Sequence, residues 1–171
     1  MPMNGTKKRT KTSAKKENIV VEIQYATEIT ELPTKQQFRK WVGATLSDHR
    51  DQAELTIRIV DEKEGAMLNE QWRKSPGPTN VLSFPYEDTE NKYAPGLLGD
   101  IIICAPVVVQ EALEQGKPLE SHWAHMVVHG TLHLLGYDHI KADELERMET
   151  LEIKILEHLG YDDPYKYVDN I

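Results

Sequence analysis

The residues best suited to chemistry lie between positions 129 and 139, where the chain reads His-Gly-Thr-Leu-His-Leu-Leu-Gly-Tyr-Asp-His. His129 and His133 are four residues apart, so on a helix they share one face and can bind one ion. Gly136 is suited to end that helix in a left-handed conformation, which would bring His139 back toward the same ion. Three protein ligands leave a fourth tetrahedral position for water, as is typical of catalytic zinc. The spacing therefore predicts a metal-dependent hydrolase.

The choice of ligands has an alternative, because His122 and His125 precede the motif on the same helical stripe. A straight row of His125, His129 and His133 would surround a tetrahedral ion poorly. His129, His133 and His139 approach from two directions, and we predict this set. Imidazole ligands in this number suit zinc, although nickel and copper bind imidazole as well.

The same spacing occurs in the long zinc-protease motif His-Glu-x-x-His-x-x-Gly-x-x-His. Position 130 of this chain is glycine, where those proteases have the glutamate that acts as general base. A general base typically contributes roughly 10²–10⁴-fold to the rate. Gly130 therefore argues against a peptidase, and it predicts space beside the ion for a larger substrate such as a nucleic-acid backbone.

A second candidate for chemistry is Arg73, which stands just before the turn-forming segment Ser75-Pro-Gly-Pro78. The planar guanidinium group of arginine donates paired hydrogen bonds to phosphate, so Arg73 could bind a phosphodiester. An ordinary helix-end cation, favoured by the helix dipole, explains the same position. Charge alone does not decide between these two interpretations.

The elements that must position these residues follow from the spacing of apolar side chains. Alternating or continuous apolar runs predict strands near 19–25, 55–60, 81–84 and 101–104. Helices are predicted near 34–46, 61–73, 106–116, 118–135 and 143–159, from three- and four-residue apolar spacing and from capping signals. Elements in this mixed order predict a single α+β domain, in which about four strands form a mixed sheet that packs with about five helices.

Charge is distributed unevenly along the 171 residues, which contain 20 basic and 28 acidic side chains. Residues 1–16 contain six of the basic residues and no acidic one, which leaves 14 basic and 28 acidic residues, a net charge of −14, in the remainder. We predict a disordered basic tail at residues 1–18 and one domain at residues 19–171. The tail could contact nucleic-acid phosphate, whereas the acidic body argues against broad nonspecific binding.

Two further features concern the cellular setting. Cys104 is the only cysteine, so no disulfide can form within the chain, and a reducing cytoplasm fits best. The sequence has no apolar run of about 18 residues, and we therefore expect no membrane span.

Three ordered blocks carry a resemblance to a known family. They are Pro78-Thr-Asn-Val-Leu-Ser-Phe-Pro85, Gly99-Asp100-Ile101, and the segment from His125 through His139. With these blocks the chain resembles the YbeY endoribonuclease family of bacterial rRNA maturation factors, over roughly residues 19–165. Three separate blocks in order are far more specific than the histidine spacing alone.

The resemblance implies a single α+β domain with a mixed sheet and one zinc ion, Zn(2+), held by His129, His133 and His139. It also makes Arg73, which falls on the family arginine near the metal, a functional residue. We expect this arginine to hold the scissile phosphate. The implied activity is single-strand-specific RNA cleavage in small-subunit rRNA maturation and ribosome quality control. Implied partners are an rRNA precursor, small-subunit ribosomal proteins and a ribosome-assembly GTPase, and no DNA is expected.

Two alternatives remain open from the sequence. One is a zinc hydrolase of another class, either a peptidase or a phosphoesterase. The other is a noncatalytic ribosome-assembly factor with structural zinc, which would need a fourth protein ligand such as Asp138 or His125. The sequence leaves open whether water or the RNA 2′-hydroxyl is the nucleophile.

Overall fold

The computed structural model describes residues 18–86, 96–137 and 140–166. Within these ranges the chain forms four strands and five helices. The strands are β1 (Ile19–Ala26), β2 (Ala53–Val60), β3 (Val81–Pro85) and β4 (Leu97–Cys104). The helices are α1 (Lys35–Leu46), α2 (Glu62–Arg73), α3 (Ala105–Gln115), α4 (Leu119–Leu134) and α5 (Ala142–His158). The predicted α+β class is thereby confirmed. The predicted tail, except for Asn18, lies outside the described residues, as do Asp138 and His139.

The sheet is mixed, as predicted, and its strand order is β1-β2-β4-β3. Strands β1, β2 and β4 are parallel, and β3 lies antiparallel to β4 at one edge. Strand β4 is largely covered on both faces from Ile101 to Cys104, which explains the continuous apolar run there, whereas buried residues alternate with more exposed ones along most of β2. Ile101 of β4 lies beneath α4 on one face, and Cys104 lies beneath α2 on the other face. Helix α4 therefore packs on the sheet beside its β3 edge.

Strand β4 begins at Leu97 rather than at Ile101 as the apolar run predicted. The added residues pair with the end of β3, and Gly99 faces Pro85 in this pairing. Gly99 has φ +140, and a Cβ atom there would stand 2.1 Å from the carbonyl oxygen of Phe84. Only glycine allows the two strands to approach this closely.

Helix ends bring the candidate residues into place. The predicted capping box at Thr34 is present, since Gln37 N donates to Thr34 Oγ1 at 3.2 Å and Thr34 N donates to Gln37 Oε1 at 2.9 Å. Helix α2 ends directly after Arg73, because Lys74 adopts a left-handed conformation with φ 58. Asn69 Nδ2 donates to the Gly77 carbonyl at 2.8 Å, which holds the following turn against α2. The position of Arg73 is thus fixed from both sides.

No helix in the described part of the chain is long and apolar enough to cross a membrane.

Candidate metal centre and groove

Two of the three predicted ligands converge on α4. The Nε2 atoms of His129 and His133 lie 3.1 Å apart. Two zinc–nitrogen bonds of about 2.0–2.1 Å at a tetrahedral angle would place the nitrogens about 3.3 Å apart. The observed separation suits either a hydrogen bond between the rings or a shared ion, so these two histidines fit a zinc site.

The predicted turn after α4 is also present. Gly136 has φ +103, its N–H donates to the His133 carbonyl at 3.0 Å, and Tyr137 N donates to the Leu132 carbonyl at 3.1 Å. These bonds satisfy carbonyls at the helix end and reverse the chain. The third predicted ligand, His139, lies outside the described residues, so its role stays a prediction.

Behind His129 lies a buried carboxylate that the sequence analysis missed. Glu152 of α5 is only 1% exposed, and its Oε2 accepts from His125 Nε2 at 2.8 Å. Both carboxylate oxygens also lie 3.3 Å from His129 Nδ1. Tyr165 completes the surroundings, because its hydroxyl donates to the same carboxylate at 2.8 and 3.0 Å. The donor atoms of His125, His129 and Glu152 all lie within 4.8 Å of one another, and this group could itself hold a metal ion.

The charge state of Glu152 follows from its partners. Burial raises the pKa of this carboxyl, but hydrogen bonds and positive charge from His125 and His129 outweigh burial and lower it to about 2. The group is therefore an ionised carboxylate, which can only accept hydrogen bonds. The Nδ1 atom of His129 must then carry the proton toward Glu152, which leaves the Nε2 lone pair directed at His133. Glu152 thus fixes the ring of His129 in the form that can bind a metal.

One signal for Glu152 was available in the sequence. It lies four residues after Met148 and four before Leu156, and both of those side chains are buried. An acidic residue on the apolar stripe of a helix is costly to bury without partners, so it indicates an internal polar contact. The identity of those partners depends on how α5 packs on α4.

The histidine stripe of α4 is divided between two networks. His122 does not join the candidate metal centre, because its Nε2 donates to Glu111 of α3 at 2.9 Å. Asn80 Nδ2 donates to the same carboxylate at 3.1 and 3.2 Å, and Asn80 Oδ1 accepts from Val81 N at 2.7 Å. His122 is therefore a structural residue that helps to hold the start of β3.

A groove of about 710 Å³ connects three of the predicted site residues, Arg73, His129 and His133. Arg73, Ser83, His129, His133 and Tyr137 all contribute to its walls. Arg73 crosses the open edge of β3, where one of its terminal nitrogens donates to the Ser83 carbonyl at 3.2 Å. The guanidinium group and the two histidines thus face one space, although they come from helices on opposite faces of the sheet.

The prediction that Gly130 leaves space beside the ion was wrong. This residue is buried and faces the sheet rather than the groove. A Cβ atom there would lie 3.0 Å from the Ile101 side chain and 3.3 Å from Ser83 Oγ, which itself donates to the Gly130 carbonyl at 3.1 Å. The glycine lets α4 pack closely on β3 and β4, and it opens no space beside an ion.

The three tryptophans differ in solvent exposure. Trp41 and Trp123 are buried. Trp72, which precedes Arg73, is 60% exposed. Its ring centroid lies 6.2 Å from that of Phe84 at an interplanar angle of 72°, an edge-to-face contact on the β3 side of α2. Trp72 is therefore a surface aromatic, next to Arg73 in the sequence, rather than a core residue.

The fold and site define an α+β protein in which a histidine-rich helix lies beside the open edge of a mixed sheet and faces an arginine across a groove. Residues 19–160 match the family described as Endoribonuclease YbeY, and the chain belongs to this family. The family consists of endoribonucleases, which are hydrolases of RNA that act in rRNA maturation. The chain is also similar to the solution structure of TM1509 from Thermotoga maritima, at 26% identity and a TM-score of 0.53. The match covers 81% of this chain and 91% of that one.

Proposed function

We propose that the protein is a zinc-dependent endoribonuclease that cleaves single-stranded RNA in small-subunit rRNA maturation and ribosome quality control. The observation that carries the proposal is the 3.1 Å approach of His129 Nε2 and His133 Nε2 in the groove that also contains Arg73. His129, His133 and His139 would hold the ion. Zinc bound there would supply Lewis-acid chemistry, which polarises a phosphoryl oxygen and acidifies water.

Arg73 is the residue of this chain that would bind the scissile phosphate. Its contact with the Ser83 carbonyl occupies one donor and leaves others directed to the groove. A guanidinium group held in this way offsets the negative charge that develops on phosphate oxygens during cleavage. It also offers a local cation in a chain whose formal net charge is −8.

Trp72 supports the single-strand preference. Its exposed ring stands beside Arg73, and Phe84 holds it from one side. Exposed aromatic rings stack with unpaired bases, and each such contact is worth about 1–3 kcal/mol. Bases inside a duplex are already stacked and paired, so this surface favours single strands.

The proposed partners and location come from the family resemblance, and the charge pattern fits the need for partners. The acidic body predicts weak binding to free RNA, so small-subunit ribosomal proteins and a ribosome-assembly GTPase would supply the remaining affinity. The proposal sets this activity in the cytoplasm, where rRNA precursors are processed. It predicts no cleavage of DNA.

The test combines metal analysis with four substrates: single-stranded RNA, duplex RNA, DNA and casein. We expect one equivalent of zinc per chain and cleavage of single-stranded RNA alone, with loss of activity on chelation and recovery when zinc is restored. Cleavage of casein would instead support a peptidase. Cleavage of RNA that persists in metal-free protein would contradict the zinc-dependent mechanism.

A second candidate is a noncatalytic assembly factor with a structural metal held by His125, His129 and Glu152. It is favoured by the burial of this group, since His125 is 8% and Glu152 1% exposed. The variants His125→Asn and His133→Asn separate the two candidates. The proposed nuclease loses zinc with His133→Asn and retains it with His125→Asn, whereas the assembly factor shows the reverse.

A further inference from the structure

A second cavity, of about 360 Å³, adjoins the groove. It lies between the end of α1, the turn after α4 and the first half of α5. Its charged lining residues are Arg50, Glu144 and Arg147. Gly136 and Tyr137 line both this cavity and the groove, so the two spaces meet at the turn that follows the predicted metal ligands.

The two arginines of this cavity differ from Arg58 and Arg73, which both have hydrogen-bond partners within the protein. Arg58 donates to Glu64 at 2.7 and 3.0 Å and to Gln24 at 3.0 Å. In the part of the chain that the structure describes, the guanidinium groups of Arg50 and Arg147 have no ion-pair or hydrogen-bond partner. Acidic residues outnumber basic ones in this chain, so two arginines that line one cavity and form no ion pair with its Glu144 suit an external anion.

The wall between the two spaces has a fixed position. His49 Nδ1 lies 3.2 Å from the Thr45 carbonyl, and His49 Nε2 lies 3.0 Å from the Tyr137 hydroxyl. A carbonyl only accepts, so Nδ1 carries the hydrogen and the Tyr137 hydroxyl donates to Nε2. The two rings also meet edge to face, at 5.7 Å and 85°. Tyr137 is therefore held by α1, and the passage from the groove to the cavity has a defined shape.

We propose that this cavity is a second phosphate-binding subsite, in which Arg50 and Arg147 bind a backbone phosphate of the RNA strand whose scissile phosphate lies at Arg73. The inference rests on the proposed function, since it extends the path of the same strand. Planar guanidinium groups bind phosphate oxygens in pairs, and two of them around one cavity give a bidentate site. Glu144 lines the same cavity, and its negative charge lowers the affinity of the cavity for phosphate.

The test measures binding of single-stranded oligoribonucleotides of two and eight nucleotides to the full-length, metal-free protein as salt is varied. Each phosphate contact contributes about 0.7 to the slope of log K against log salt for single strands. The double variant Arg50→Gln/Arg147→Gln should lower the eight-nucleotide slope by about 0.7, because one phosphate contact is lost. It should leave dinucleotide binding unchanged, because the single phosphate of a dinucleotide is the one bound at Arg73.

The matched control is Arg39→Gln/Lys40→Gln, which removes the same charge from the exposed side of α1 outside both spaces. Equal loss of affinity in both double variants would overturn the subsite, because it would reflect net charge alone. Glu144→Gln should strengthen eight-nucleotide binding, and weaker binding would contradict the assignment. Unchanged thermal unfolding midpoints would show that the variants fold.

Two further measurements complete the test. The first distinguishes an RNA phosphate from free inorganic phosphate as the ligand, and the second tests the proposed nuclease function separately from the subsite. Inorganic phosphate at millimolar concentration should compete only weakly with the eight-nucleotide strand. Saturable phosphate binding at Arg50 and Arg147 without any effect on RNA would overturn the subsite in favour of a small-anion site. Dinucleotide cleavage by the zinc-loaded protein reports on the proposed function alone, so the nuclease proposal and the subsite can fail independently.

Discussion

Toward each end of α4, a histidine contacts a glutamate of a neighbouring helix, but the two pairs have different roles. At the N-terminal end His122 donates to Glu111, and Asn80 donates to the same carboxylate from the start of β3. At the C-terminal end His129 directs Nδ1 to Glu152 and Nε2 to His133. Only the second arrangement leaves a ring nitrogen directed at another imidazole in the groove. A histidine stripe is therefore not a ligand set, because the position of its carboxylate partners decides which histidines can bind metal.

The largest effect on zinc binding and cleavage should come from removing His129, near the C-terminal end of α4. His129→Ala removes the imidazole that joins Glu152 to His133, and we expect loss of stoichiometric zinc and of RNA cleavage. His122→Ala is the matched control, because it removes a histidine of the same helix from the other network. We expect it to retain a full equivalent of zinc by metal analysis. Zinc retention by both variants would contradict the division between the two ends.

Across the groove, Arg73 should contribute to cleavage without contributing to metal binding. Loss of one donor that stabilises transition-state charge costs about 10²–10³-fold in kcat. We expect Arg73→Gln to show a loss of this order on single-stranded RNA, with unchanged zinc content. The neighbouring Lys74→Gln is the control for charge. Full activity in Arg73→Gln would remove the arginine from the site.

A smaller change should follow when the carboxylate that orients His129 is neutralised. Replacing the hydrogen-bond partner of a metal-binding histidine typically lowers metal affinity by about 10–100-fold. We expect Glu152→Gln to weaken zinc binding within this range, measured by competition with a chelator. The exposed Glu157→Gln on the same helix should change nothing. Nuclear magnetic resonance of the metal-free variant should also show an altered tautomer of His129, a signature that a general loss of stability would not give.

The local elements of the site were predictable, whereas the contacts between elements were not. Thr34 and Gln37 lie three residues apart, and Gly136 follows its helix directly, so neighbouring residues alone contained these signals. Glu152 reaches His129 only because α5 packs on α4. Gly130 was assigned to the wrong face for the same reason, since its close contacts are with β3 and β4.

The solvent exposure of individual side chains was equally hard to predict from the sequence. Trp72 lies within a helix, as Trp41 and Trp123 do, but it is 60% exposed whereas they are buried. The three residues that sequence spacing singled out as ligands included two that converge. Spacing along one helix is geometry within the element, so it can be read before the fold is known.

The smallest effect concerns the structural end of α4 and depends on pH. Burial raises the pKa of Glu111, but hydrogen bonds from His122 and Asn80, with positive charge from His122 and Lys117, outweigh burial and lower it below its usual value. A carboxyl whose pKa is lower in the folded state stabilises the fold above its unfolded pKa of about 4.3. That contribution is lost as the pH falls through the lower folded value.

Glu111→Gln should therefore lower the free energy of unfolding at pH 7, by about 1.5–3 kcal/mol for hydrogen bonds to a charged group. The difference from the unmodified protein should shrink as the pH falls from 5 to 3, measured by urea unfolding. Zinc content at pH 7 should stay the same, because this network supports β3 rather than the candidate metal centre. A matching loss of zinc would show that the two ends of α4 act as one unit, and the comparison between them would fail.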